Sequence, residues 1–281
     1  MRLGQIRFEN RVTAAVFESG RARVVPNYTT VDLIRKAETE SVPLTELVTE
    51  LASHHPMEAA AVIPIHPVEV WALGCAYDTA AGFRCPWHDI EGSIYRQACQ
   101  QPRPNLMLKG TGRVCVGPGQ PIGIRPDSTC TVPEAELAVV LGRKGRILGY
   151  TLADDVSARD IERASPLYRP QSKTYAASCA LGPVIVTADE LADPYSVSMT
   201  CTITREGRQR FSGSVSTAHM RRRLDEVIEY LLRANPVPAG SVLLTGTGIL
   251  VGDDSALAAG DLVTIASPQI GELSNPAAVI Q

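Results

Sequence analysis

An apolar run that carries several acidic residues, residues 132–160, is the feature that most constrains how this chain can fold. It reads V-P-E-A-E-L-A-V-V-L-G-R-K-G-R-I-L-G-Y-T-L-A-D-D-V-S-A-R-D. Residues two apart in a β-strand point to the same side of a sheet. We therefore expect Glu134 and Glu136 to share one face of a strand, with Ala135 and Leu137 on the other.

A third acid can join that face from the next strand, because Asp154 and Asp155 follow a turn that contains glycine. Neighbouring carboxylates repel each other unless a cation or a shared proton lies between them. Hard divalent ions such as Mg²⁺ accept oxygen clusters of this kind. From these residues alone, a metal site and a buried ion-pair network are both open.

Composition excludes several classes of protein. The chain has 281 residues, 44% of them apolar, which suffices for one large domain or for a large domain with a small one. Its net charge of -3 and pI near 6.0 give no basic surface for nucleic acid. No window reaches the ~18 apolar residues of a spanning helix, and the N-terminus shows no signal-peptide core. We expect a cytoplasmic protein that binds neither nucleic acid nor a membrane.

The seven cysteines are scattered and form no C-x-x-C pair. This pattern favours unpaired thiols in a reducing compartment. Cys85 and His88 are three residues apart, a spacing that zinc sites use, but two further ligands are not evident. Zinc is therefore disfavoured.

Two domains are predicted. Short alternating segments near the N-terminus indicate a β-meander, and two helical patterns follow, the second around residues 44–51. The proline-containing segment 63–68 is typical of a linker. We expect a small N-terminal α/β domain over residues 1–65 and a catalytic domain over residues 66–281.

Residues 78–105 separate two strand-like segments, the first of which ends at Tyr77. Long stretches without periodicity in a compact domain are usually functional or disordered, so we expect a lid here. Lys109 ends the second strand. A binding role for Lys109 and an ordinary surface position are equally open.

Lys173 lies in a loop-like segment, residues 165–182, amid small side chains. Binding residues concentrate in loops on a rigid scaffold, and the pKa of a lysine falls readily when it is buried or beside a cation. Lys173 is therefore a candidate base or charge clamp. Further on, residues 217–232 predict an amphipathic helix, and residues 242–250 predict a strand that ends in T-G-T-G.

Five motifs in fixed order resemble the fumarylacetoacetate hydrolase superfamily. They are E-A-E-L-A-V-V-L-G, G-Y-T-L-A-D-D-V-S-A-R-D, Q-S-K-T-Y, L-G-P-V-I-V-T and L-L-T-G-T-G, and the resemblance spans roughly residues 68–275. P-L-Y-R-P-Q-S-K-T-Y-A-A-S-C-A-L-G-P and R-P-D-S-T-C-T-V-P-E-A-E look most like the 2-keto-3-deoxy-aldonate dehydratase branch. The resemblance implies an α+β, mostly β fold: a mixed β-roll with a small N-terminal domain, in a homo-oligomer such as a dimer or tetramer.

The resemblance also implies roles for individual residues. Glu134, Glu136 and Asp155 match the ligands of Mg²⁺ or Mn²⁺, and Asp154 falls where relatives vary. The remaining expected site residues are the catalytic Lys173 and Tyr77 and the substrate-binding Lys109, Arg159, Thr245, Gly246 and Thr247.

Two departures from the family pattern bear on the reaction. Hydrolases of the family carry a histidine where this chain has Ala80, which disfavours hydrolysis by that route. Arg96, Cys99 and Asn105 occupy places where the dehydratase branch has an acid, a tyrosine and an acid. These departures keep a catalytically silent binding paralogue open.

The expected function is that of a Mg²⁺-dependent lyase acting on a 2-keto acid. The ion would stabilise an enolate, a base would take the C3 proton, and the 4-hydroxyl of a 2-keto-3-deoxy sugar acid would leave. The alternative enzyme is a C–C bond hydrolase or decarboxylase for an acylpyruvate or an oxaloacetate-like keto acid.

Overall fold

The computed structural model describes residues 1–77, 98 and 100–281. The helices in this range are α1 (Thr30–Glu40), α2 (Leu44–Leu51), α3 (Arg159–Ala164), α4 (Arg169–Lys173) and α5 (Leu224–Leu232). The strands are β1 (Arg2–Phe8), β2 (Arg11–Glu18), β3 (Arg21–Val25), β4 (Val70–Gly74), β5 (Asn105–Gly110), β6 (Cys115–Val116), β7 (Ile122–Ile124), β8 (Thr131–Val132), β9 (Ala135–Leu141), β10 (Ile147–Asp155), β11 (Ser157–Ala158), β12 (Cys179–Thr187), β13 (Ser198–Arg205), β14 (Arg208–Ser216), β15 (Ser241–Thr247), β16 (Leu262–Ser267) and β17 (Gly271–Val279). The fold is mostly β, as predicted.

A 10-stranded sheet forms the centre of the described structure, in the order β3-β2-β1-β12-β10-β9-β15-β4-β5, with β6 paired to β12. A second, 5-stranded sheet has the order β14-β13-β16-β17-β7. β8 and β11 form a short separate pair. The pair β9–β10, which carries the acidic residues, therefore lies in the middle of the larger sheet.

Residues of β9 alternate between two layers of the core. Leu137 and Val139 pack in one cluster with residues of β13 and β16 from the second sheet. Ala138 and Val140 pack in another cluster, with residues of α1 and α2. Both faces of β9 are buried, as for a strand in the interior of a layered domain. Glu136 has the parity of Ala138, so it points away from the second sheet.

The N-terminal strands continue the central sheet. β1 pairs antiparallel with β12, and Leu3 lies opposite Ile185. One core cluster contains both Leu3 and Leu244. The boundary predicted at residue 65 thus falls inside a structure with a continuous sheet, and the division into two domains stays a prediction.

The amphipathic segment predicted as one helix over residues 217–232 is helical only at its C-terminal end. A short 3₁₀ turn covers Thr217–His219, and α5 begins at Leu224. Between them, Met220 forms a β-bridge with Tyr77. Because its backbone pairs there, Met220 does not continue a helix.

The structure also bears on three further expectations, which concern the cysteine thiols, the lid and membrane-spanning helices. Cys75 is disulfide-bonded, which corrects the expectation of unpaired thiols at that position, whereas Cys115, Cys130, Cys179 and Cys201 are free. Most of the predicted lid, residues 78–97 and 99, lies outside the described residues. None of the described helices is long and apolar enough to cross a membrane.

Leu137→Ala is expected to lower the free energy of unfolding by about 3 kcal/mol, because the side chain is 0% exposed and its loss leaves a cavity between the two sheets. Urea unfolding measures the change. Leu262→Ala, on a strand of the second sheet but 41% exposed, is the control and should cost about 0.5 kcal/mol or less. Equal losses for the two variants would contradict this placement of the core.

Candidate active site

Three carboxylates meet where β9 begins and β10 ends. Glu134 directly precedes β9, Glu136 is its second residue, and Asp155 is the last residue of β10. The antiparallel register brings these ends together, with Ala153 opposite Glu136. One carboxylate oxygen from each acid lies within 4.8 Å of the others. The predicted grouping of the three acids on one face is confirmed.

Asp154 points elsewhere and supports the group. Its Oδ1 accepts a hydrogen bond from the backbone N–H of Glu134 at 2.9 Å. Burial raises the pKa of Asp154 to about 7. Asp154 therefore fixes the strand that carries Glu134, and it is absent from the cluster of possible metal ligands among the described residues.

Two buried lysines contact two of the three carboxylates. Lys173 Nζ lies 2.7 Å from Glu134 Oε2 and 2.9 Å from Asp155 Oδ2. Lys109 Nζ lies 2.6 Å from Asp155 Oδ1 and donates a hydrogen bond to the carbonyl of Val156 at 3.1 Å. Lys109 is 0% exposed, so it is not a surface lysine. Lys109 therefore holds Asp155, one of the three acids, in place.

The third acid is held by the turn at the end of β15. The backbone N–H of Gly246 donates to Glu136 Oε2 at 2.6 Å. Gly246 has φ +85°, and a Cβ there would lie 2.9 Å from the carbonyl oxygen of Leu73, so only glycine fits. Thr245 Oγ1 donates to the carbonyl of Leu137 at 2.8 Å. The T-G-T-G motif therefore presents a backbone donor to a carboxylate.

The charges in this cluster shift one another's pKa values. Burial, followed by the charges of Asp155 and Glu134, raises the pKa of Glu136. Burial would also raise the pKa of Asp155, but Lys109 and Lys173 lower it to about 2. Burial would lower the pKa of Lys173, but Asp155, Glu134 and then Glu162 raise it.

The donor set fits a hard divalent cation. Three carboxylates face two ammonium groups, so negative charge is in excess, and Glu136 has a backbone donor but no cation against it among the described residues. Clustered carboxylate oxygens are the ligands that Mg²⁺ and Mn²⁺ prefer. Glu134, Glu136 and Asp155 could therefore hold such an ion.

The remaining predicted residues differ in what they contact. Tyr77 is buried, and burial together with the charge of Glu136 raises the pKa of its phenol. Thr247 lies opposite Glu136 in the β15–β9 register, and its hydroxyl donates to the carbonyl of Ile249. Arg159 is buried and lies 3.4 Å from Asp253 Oδ1, so its described contacts are with the 251–253 segment rather than with the carboxylates.

Sequence reasoning missed two charged residues beside the cluster. Glu162 in α3 is buried, and burial raises its pKa. Arg169 begins α4, and its Nε lies 3.5 Å from Glu162 Oε1. Arg169 is four residues before Lys173, the spacing of neighbours on one helix face. That spacing is the available signal in the sequence, but the turn-forming residues of 165–182 indicate a loop there instead of a helix.

Comparison with known proteins gives the same family that the motifs indicate. The family described as fumarylacetoacetate (FAA) hydrolase C-terminal matches residues 79–278. Over 217 residues the chain is 49% identical to 2-dehydro-3-deoxy-D-arabinonate dehydratase of Saccharolobus solfataricus, covering 76% of this chain and 72% of the relative. Over 253 residues it is 37% identical to a probable 2-keto-3-deoxyxylonate dehydratase of Haloferax volcanii, covering 87% and 86%.

The fold is shared with solved structures. One is 2-keto-3-deoxy-D-arabinonate dehydratase complexed with magnesium and 2,5-dioxopentanoate, which matches over 100% of both chains with a TM-score of 0.84 and 37% identity. The predicted fold class is thereby confirmed. The chain belongs to the fumarylacetoacetate hydrolase family.

Proposed function

We propose that this chain is a Mg²⁺-dependent dehydratase that acts on a 2-keto-3-deoxy sugar acid. The observation that carries the proposal is the cluster of Glu134, Glu136 and Asp155, with the ammonium group of Lys173 between two of the three acids. The relatives named as dehydratases of such acids support the choice of reaction. The solved relative with magnesium and 2,5-dioxopentanoate supports the choice of ion.

The three carboxylates would hold the ion, and Mn²⁺ would suit the same oxygen ligands. When bound, the ion would polarise the keto oxygen of the substrate and stabilise the negative charge that develops there. Lys109 and the backbone N–H of Gly246 keep Asp155 and Glu136 in place for this task. Such supporting contacts typically change metal affinity about 10- to 100-fold when removed.

Lys173 is the proposed base. Its Nζ contacts Glu134 and Asp155, so the same carboxylates hold its proton and would hold the ion. The two carboxylates stabilise the ammonium form of Lys173 less when a second cation also neutralises their charge, and the pKa of the lysine then falls. Once the ammonium has released this proton to solvent, the amine can take a proton from C3. The 4-hydroxyl leaves as water after it receives a proton from an acid such as Tyr77, and proton transfer of this kind contributes about 10²- to 10⁴-fold.

Tyr77 and the residues around the turn complete the proposed site. The raised pKa of Tyr77 keeps its phenol protonated, so it can orient the substrate or donate to the departing hydroxyl. We assign substrate contact to Thr247 and Arg159. Lys109, Thr245 and Gly246 are buried and act on the substrate through the carboxylates and the turn that they hold.

We also propose that the protein is a cytoplasmic homo-oligomer, a dimer or a tetramer, as the family resemblance implies. Light scattering of the purified protein would give the mass of the assembly, and a monomer would contradict this part of the proposal.

The reaction is tested by incubating the purified protein with Mg²⁺ and a panel of 2-keto-3-deoxy sugar acids. We expect products that have lost one water, identified by mass spectrometry, and no turnover after chelation with EDTA. Pyruvate or CO₂ released from acylpyruvates or oxaloacetate, without dehydration of any panel member, would favour the C–C bond hydrolase or decarboxylase. Retention of Mg²⁺ without turnover of any compound would favour a binding paralogue.

A further inference from the structure

Two hydrogen-bond donors from different elements converge over Gly74, the last residue of β4. A Cβ at this glycine would lie 2.7 Å from Arg169 Nη2 and 2.9 Å from Asn105 Nδ2. Asn105 is the residue opposite Gly74 in the β4–β5 ladder, and Arg169 reaches the same point from α4. The bare Cα of Gly74 therefore lets the guanidinium and the amide lie side by side.

Both side chains have N–H groups that make no hydrogen bond in the described structure. No described contact joins the side-chain amide of Asn105 to an acceptor, and the only ion pair of Arg169 in the described structure is the one from its Nε to Glu162 at 3.5 Å. That Nε is buried and makes no hydrogen bond within the described range. A buried donor without an acceptor destabilises the folded state, so the guanidinium of Arg169 has an unmet hydrogen-bonding capacity. Since the amide of Asn105 lies beside it, one outside acceptor could bind to both groups.

The two donors lie beside the carboxylate cluster rather than apart from it. Arg169 and Lys173 are four residues apart on α4, so their side chains leave the same helix face about one turn, roughly 5 Å, from each other. Leu73, the neighbour of Gly74, packs its carbonyl against the Gly246 turn that holds Glu136. A substrate reaching from the carboxylates past Lys173 would meet Arg169 next.

We propose that Arg169 and Asn105 bind an acceptor oxygen on C5 of the keto acid and so select substrates that are oxygenated at that carbon. This inference rests on the proposed function, in which the 2-keto end of the substrate lies at the carboxylate cluster. Three carbon–carbon bonds of about 1.5 Å place C5 roughly 4 Å from C2, which matches the offset of one helical turn.

The acceptor can be a hydroxyl or a carboxylate oxygen, since both accept from a guanidinium and an amide. A carboxylate would gain more, because its charge complements that of Arg169 and it can accept two parallel N–H bonds. The two kinds of acceptor, a hydroxyl and a carboxylate, are distinguished by comparing ligands that differ only at C5.

The test is calorimetric binding to the Mg²⁺-loaded protein of three acids that lack a 4-hydroxyl and so cannot be dehydrated. They are 2-ketopentanoate, 5-hydroxy-2-ketopentanoate and 2-ketoglutarate, which carry a methyl, a hydroxymethyl and a carboxylate group at the distal end. We expect the wild-type protein to prefer one or both oxygenated acids over 2-ketopentanoate. Arg169→Met should reduce that preference about 10- to 100-fold, the range for a hydrogen bond to a charged group.

Two further variants separate contact from folding. Arg169→Lys should restore part of the preference, and Gly74→Ala should reduce it although both donors are still present, because the new methyl displaces them. Arg205→Met, at an arginine on β13 of the second sheet that ion-pairs with Asp261, is the matched control and should leave the preference unchanged.

The pattern of losses decides the outcome. A larger loss with 2-ketoglutarate identifies a distal carboxylate as the favoured group, and a larger loss with 5-hydroxy-2-ketopentanoate identifies a hydroxyl. A wild-type protein that binds all three acids equally, or an Arg169→Met variant that weakens all three equally, would overturn the inference. Because none of the acids can be dehydrated, a selective result would stand even if the proposed reaction failed.

Discussion

Glu136→Gln is expected to weaken Mg²⁺ binding by at least about 100-fold and to reduce kcat/KM by a similar factor. The change removes one of the three charged ligands but keeps an oxygen that can accept from the Gly246 N–H. Thermal stability without added Mg²⁺ should be equal to or above that of the wild-type protein. The reason is that burial and the charges of Asp155 and Glu134 raise the pKa of Glu136, so a neutral side chain is better tolerated there.

Mg²⁺ titration by calorimetry, thermal unfolding and turnover measure these effects. Asp154→Asn is the control, because it removes an adjacent acid that lies outside the cluster and keeps an acceptor for the Glu134 N–H. Its Mg²⁺ affinity should stay within about 10-fold of wild type. Wild-type affinity in Glu136→Gln, or an equal loss in Asp154→Asn, would show that the ion is not held by the three predicted acids.

Lys173→Met is expected to lower kcat by about 10³-fold, within the range for loss of a general base. Exchange of the C3 protons of 2-ketoglutarate with D₂O, followed by NMR, isolates proton removal from the departure of the hydroxyl. The variant should also be less stable without Mg²⁺, by about 3 kcal/mol, because removal of a buried ammonium leaves Glu134 and Asp155 without that partner. Added Mg²⁺ should recover much of this loss.

Lys173→Arg separates the two roles of the lysine. Arginine restores a positive charge between the two carboxylates but does not give up its proton in proteins. We expect stability near that of the wild-type protein together with C3 exchange as slow as in Lys173→Met. Recovery of C3 exchange in the arginine variant would assign Lys173 an electrostatic role and leave the base to another group.

The grouping of the acids could be predicted because it depends on local rules. Glu134 and Glu136 are two residues apart at the start of β9, and the alternation of the strand places Ala135 and Leu137 in the core on the opposite side. Asp155 joins them because β10 is the next strand and pairs with β9. Sequential strands are usually neighbours, so this step too needs only the order of the elements.

The surroundings of the acids could not be predicted because they depend on contacts between distant parts of the chain. Whether Lys109 is buried depends on its contact with Asp155. Three other strands of the sheet lie between the strand that carries the lysine and the strand that carries the acid. The convergence of Arg169 and Asn105 over Gly74 depends on where a five-residue helix packs, and so short a helix leaves little periodicity in the sequence. The shortened α5 depends on a bridge between Met220 and Tyr77.

NMR of 2-keto-3-deoxypentonate in D₂O with the purified protein would examine both the reaction and the carbon at which it begins. With Mg²⁺ we expect 2,5-dioxopentanoate that carries solvent deuterium at C3, at a rate abolished by EDTA and by Glu136→Gln. Formation of pyruvate and a two-carbon fragment, or turnover that is unchanged by EDTA, would contradict Mg²⁺-dependent dehydration at the carboxylate cluster.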